Sequence, residues 1–62
     1  MIINHLHILD DTHDLIHDKV DNVWVICRIG TMADPGAHSR PYYTEEEARS
    51  DFANNTVRWE EN

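Results

Sequence analysis

The sequence predicts a single small α+β domain, a mostly antiparallel sheet with one well-marked helix. Three observations carry that expectation. VWVICRI, from Val23 to Ile29, is a strand-length run rich in β-branched and aromatic residues. Thr44-Glu45-Glu46-Glu47 has the Thr-x-x-Glu spacing that opens a helix. Around them lie short apolar runs punctuated by Asp, Asn, Gly and Pro.

The elements follow in order. IINHLHIL, residues 2–9, alternates as a strand, with Ile2, Leu6 and Ile8 on one face and Ile3, His5, His7 and Leu9 on the other. Asp10-Asp11-Thr12 breaks that pattern with turn and N-cap chemistry. HDLIHDKV then suits a short helix over 13–20, with Leu15, Ile16 and Val20 inward and dependent on packing to persist. Asp21-Asn22 separates it from the strand over 23–29. There Val23, Val25, Cys27 and Ile29 form one face, Trp24, Ile26 and Arg28 the other. Both faces are largely apolar, as in a central strand covered on each side.

Gly30 to Ser39 reads as a loop turning at Pro35-Gly36, and residues 40–43 as a short return strand at an edge, where Pro41 has no N–H to donate. The helix is expected over 45–53, with Ala48 and Phe52 buried, a capping box between Thr44 and Glu47, and Tyr43 and Ala48 as a hydrophobic staple. Asn54-Asn55 supplies a left-handed residue to end it. Residues 56–60 read as a last strand, Val57 and Trp59 inward.

At 62 residues the core is small, since a chain of this length buries only about 60% of its unfolded surface. Cys27 is the single cysteine, so no internal disulfide supports it. Packing, a metal or a partner subunit, including a second copy in a homodimer, is left to do so. The net charge of −7 disfavours direct contact with nucleic acid or an anionic membrane and attracts basic proteins. The N-terminus lacks the basic region of a signal peptide, and no apolar run approaches the roughly 20 residues of a membrane span, so a cytoplasmic protein is expected.

Two sets of side chains stand out. His5 and His7 share a strand face, and His13 and His17 are spaced for one face of a helix. Together they could hold zinc or nickel, although no CxxC or HExxH motif is present and a solvated polar edge accounts for them as well. All five histidines would reduce the net negative charge as pH falls toward 6, and simple titration on a surface accounts for that. The second set is acidic: Glu45, Glu46, Glu47 and Asp51 on the helix, and Asp10, Asp11, Asp14 and Asp18 near the N-terminus. Such rows suit the basic groove of a nucleic-acid-binding protein, and they also simply keep a small protein soluble. Trp24 joins them as a candidate contact if its face is left uncovered. Catalysis has little support: Cys27 with a histidine is the only nucleophile pair, and no Gly-rich phosphate loop exists.

The order VWVICRI, YYT, EEEARSDF, TVRWEE across residues 23–61 resembles a recurring pattern in short phage and prophage accessory proteins. That resemblance implies a compact non-enzymatic inhibitor or modulator of a host factor, in the host cytoplasm. Several such proteins are acidic nucleic-acid mimics that act against polymerases, nucleases or defence systems. It assigns no site residues.

Overall fold

The computed structural model describes residues 4–60. Four strands run in chain order, β1 (Asn4–Ile8), β2 (His13–Asp18), β3 (Val23–Arg28) and β4 (Ala37–His38), followed by helix α1 (Glu45–Ala53). They form one antiparallel sheet in the order β1-β2-β3-β4, with the helix on one side. The α+β class expected from the sequence is the one observed. Residues 2 and 3 of the expected first strand lie outside the described residues.

The expectation of a helix over 13–20 is corrected: His13–Asp18 is a strand in the middle of the sheet. The reason lies in its alternation. His13, Leu15 and His17 take one side and Asp14, Ile16 and Asp18 the other, so Leu15 can sit fully buried opposite Ile26. A lone eight-residue helix has no comparable source of stability. Val20, expected inward, is 66% exposed in the next turn. The Asp10–Thr12 chemistry is real but closes a hairpin instead of capping a helix. Asp10 Oδ1 accepts the Thr12 N–H at 2.8 Å, and Leu9 N–H donates to the His13 carbonyl at 2.9 Å. Asp18 does the same job at the next turn, accepting from the Val20 N–H at 2.9 Å, and Asn22 there takes the left-handed conformation (φ 55°).

The return begins earlier than expected, at Ala37, within the segment that reads as a ten-residue loop. Gly36 makes this possible: its φ is +86°, and a Cβ there would stand 2.5 Å from the Arg28 carbonyl oxygen. Arg28 and Asp34 pair at 2.5 Å across the loop, and Asp34 also accepts from the Gly36 N–H at 2.9 Å. Residues 40–43 do not form a regular strand. At Ser39 the ladder is interrupted, with the Ser39 hydroxyl accepting the Ile26 N–H at 2.9 Å, and it resumes only as an isolated Trp24–Tyr42 bridge beyond Pro41. Residues 56–60 likewise contribute a single bridge, Trp59 to Ser39, rather than a strand.

The helix matches its expected bounds. Thr44 Oγ1 accepts the Glu47 N–H at 3.1 Å, but Glu47 turns to Arg58 at 3.4 Å, so only half of the capping box forms. The staple does not form either, because Tyr43 is 77% exposed. Asn55 supplies the left-handed residue (φ 58°), and the Asn55 and Thr56 N–H groups return to the Phe52 and Asp51 carbonyls, a Schellman end.

The core consists of Leu15, Ile26, Tyr42 and Ala48, with Leu9, Trp24, Phe52, Val57 and Trp59 packed around it. β3 is therefore not covered on both sides as its apolar faces suggest. The helix covers the Trp24–Ile26 side, and among the described residues the Val23–Val25–Cys27 side has no second layer. Tyr42 ties the layers together. Its hydroxyl donates to Asp51 at 2.7 Å and accepts the Arg58 N–H at 3.1 Å, while the Arg58 guanidinium lies 4.8 Å from its ring centroid.

Candidate protein-docking face

Strand register builds the uncovered side of the sheet row by row. Leu6, Ile16 and Val25 lie side by side across β1, β2 and β3. Ile8, Asp14, Cys27 and His38 form the row on one flank, and Asp18 beside Val23 the row on the other. None of these residues is fully buried; Leu6 is 61% and Ile8 76% exposed. The result is an apolar stripe with two aspartates on the central strand, about 13 Å apart at strand rise. No lysine or arginine belongs to these rows.

The ion pairs sharpen the asymmetry. Arg49 holds Glu45 at 2.7 Å, Arg58 reaches both Glu47 (3.4 Å) and Asp51 (3.7 Å), Arg40 lies 3.9 Å from Glu60, and Arg28 pairs with Asp34. All four arginines thus face carboxylates of the chain itself. Of the helix acids, Glu46 alone makes no ion pair among the described residues. Asp11, Asp14, Asp18 and Asp21 also lack one there, and Lys19 is the only lysine near them. Uncompensated negative charge therefore collects at the β1–β2–β3 end rather than on the helix. Asp10 is engaged by Thr12 and by His13 Nδ1 at 2.9 Å, and these bonds, the Thr12 N–H foremost, hold its carboxyl below the usual range.

Cys27 sits on the same open side, half-buried. Desolvation, and next the charge of Asp14 beside it, push its thiol upward, away from the thiolate a nucleophile needs. Trp24, whose hydrophobicity marks it as a candidate for partner contact, lies instead on the helix side, with its indole stacked on the His17 ring at 4.0 Å between centroids.

The histidines divide differently from their sequence spacing. His5 pairs in register with His17, and His7 lies on β1 two residues from His5. His13 is far along β2, its ring 5.2 Å from Phe52 and 5.9 Å from Trp59. Among the described residues no three His, Cys, Asp or Glu side chains converge as a metal site, and no pocket is present. A helical reading of residues 13–18 conceals the open face, which appears only once HDLIHD pairs as a strand with β1 and β3. No described helix is long and apolar enough to cross a membrane. Comparison of the chain with protein-family models, curated proteins and solved structures finds no match.

Proposed function

We propose that this chain is a non-enzymatic interaction protein whose open sheet face receives a basic, amphipathic segment of another protein. The observation that carries the reading is the pairing of an apolar stripe, exposed at Leu6 and half-buried at Ile16 and Val25, with Asp14 and Asp18 and with no lysine or arginine in the same rows. Apolar area of this kind supplies affinity, and unpaired carboxylates select and steer a Lys- or Arg-bearing partner. Nucleic-acid-binding host factors carry such segments, so the role of an inhibitor or modulator of a host factor fits this surface. The internal pairing of Glu45, Glu47 and Asp51 favours the sheet over the helix as the contact. Two copies meeting through this face would set Asp14 and Asp18 near their own counterparts, which favours a basic partner over a homodimer.

The test uses a synthetic peptide alternating lysine with valine, titrated into isotopically labelled protein. Saturable amide shifts at Leu6, Ile16, Val25 and their neighbours, abolished in an Ile16→Lys variant that keeps the wild-type spectrum elsewhere, are expected. Shifts centred on Glu45 and Glu46 would instead support the helix as a nucleic-acid mimic. No saturable binding, or concentration-dependent dimerisation through the same face, overturns the proposal.

A further inference from the structure

We infer that the outer edge of β1 pairs with an extended segment of a basic partner, which adds a further antiparallel strand to the sheet. This rests on the open face being a docking surface for such a partner, and it specifies how the partner is held. The chain treats the two edges of its sheet differently. Beyond β4 the C-terminal segment closes the edge: the Arg40 N–H donates to the Arg58 carbonyl and the Glu60 N–H to the His38 carbonyl, both at 2.8 Å. Among the described residues nothing pairs with the outer side of β1. Asn4–Ile8, NHLHI, also lacks the devices that blunt a free edge, since it holds no Lys, Arg, Asp, Glu, Pro or Gly.

Register sets which backbone groups that edge presents. The Leu9 N–H donates to the His13 carbonyl at 2.9 Å, which makes Leu9 and His13 a hydrogen-bonded pair. Bonded and non-bonded pairs alternate along an antiparallel ladder. His7–Leu15 and His5–His17 are therefore bonded pairs, whereas Ile8–Asp14, Leu6–Ile16 and Asn4–Asp18 are not. The backbone N–H and C=O groups of Asn4, Leu6 and Ile8 consequently point away from β2. A strand that takes up those groups sets every second side chain beside Leu6 and Ile8 on the open face.

The rows also define the chemistry of that segment. Asp18 stands opposite Asn4, Ile16 opposite Leu6, and Asp14 opposite Ile8. An added strand lies two strand spacings, about 10 Å, from β2. A lysine in the Ile8 row crosses that gap with its stem over Ile8, which is 76% exposed, and its ammonium at Asp14. A second lysine, in the Asn4 row, answers Asp18, which serves its own turn through Oδ1 alone. Between them an apolar residue joins the Leu6–Ile16–Val25 row. The partner segment thus reads basic–x–apolar–x–basic. A second copy of β1 brings no lysine or arginine to these rows and adds another net charge of −7, so charge complementarity selects the basic segment.

The test uses the full, unmodified chain and a capped peptide, Lys-Thr-Val-Thr-Lys, whose valine faces Leu6. Saturable binding is expected, with amide hydrogen exchange at Leu6 and Ile8 slowed about 10-fold or more at saturation. N-methylation of the valine, whose N–H meets β1, should weaken binding at least about 10-fold, and N-methylation of a threonine, whose N–H faces outward, less than about 3-fold. Asp14→Asn should weaken it by about 3-fold or more. Equal binding of the two methylated peptides overturns the edge and leaves the open face as the docking surface. So does binding of the alternating lysine–valine peptide but not of this one. Failure of both peptides overturns the edge and the docking face together. A dimer whose Leu6 and Ile8 amides are protected without peptide places a second copy on the edge and overturns the inference.

Discussion

At Ser39 a side-chain hydroxyl takes the place of a peptide group, accepting the Ile26 N–H at 2.9 Å and donating to the Arg40 carbonyl at 2.8 Å. The residue is buried, so Ser39→Ala leaves the Ile26 donor without a partner and should cost about 1–3 kcal/mol in urea denaturation. Tyr42→Phe should cost a similar amount, because it removes both the donor to Asp51 and the acceptor for the Arg58 N–H. Asp10 gives a pH-dependent counterpart. Its folded carboxyl titrates below its ordinary 3.8, so its contribution is complete above that value and is lost as pH falls through the lower, folded one. Thermal melts should therefore place wild type above Asp10→Asn near pH 6, with the gap narrowing below pH 3.8. Cys27 should alkylate more slowly than a free thiol, and Asp14→Asn should accelerate it modestly, since desolvation is the larger cause of its raised titration.

The elements show which parts of the fold a sequence can express. Helix α1 is legible because its signals are local: Thr44 before three glutamates, and Asn55 after the last turn. VWVICR is legible because β-branched residues fill it. HDLIHD is not, because apolar Leu15 and Ile16 are adjacent and satisfy a helix or a strand equally. Only pairing with Ile26 and Val25 decides between them. The same ambiguity hides the candidate site, since the Leu6–Ile16–Val25 row does not exist until β2 stands between β1 and β3. A pair of substitutions checks the strand. Leu15→Ala should cost about 2–5 kcal/mol, whereas Ile16→Thr on the open side should cost under about 1 kcal/mol. A helix with both residues inward would penalise them alike.

Across the whole molecule, the four arginines answer carboxylates on the helix, the loop and the C-terminal segment, and leave the hairpin end of the sheet negative. Association with a basic partner should accordingly slow by about 10-fold or more between low and high salt, chiefly in the on-rate, as stopped-flow mixing would show. An unchanged on-rate would mean that the apolar stripe acts without the charges. The chain-order arrangement of the strands has a kinetic consequence as well. β1 meets β2, and β2 meets β3, across connections of residues 9–12 and 19–22, so little loop-closure entropy is lost in assembling the first three strands. Such local topology predicts refolding in milliseconds, fast for a mostly β protein. The two tryptophans supply separate clocks: Trp24 sits in the three-stranded meander, and Trp59 in the segment that bridges back to Ser39. Coincident refolding phases from Trp24→Phe and Trp59→Phe variants would mean that the meander does not persist without its closing segment.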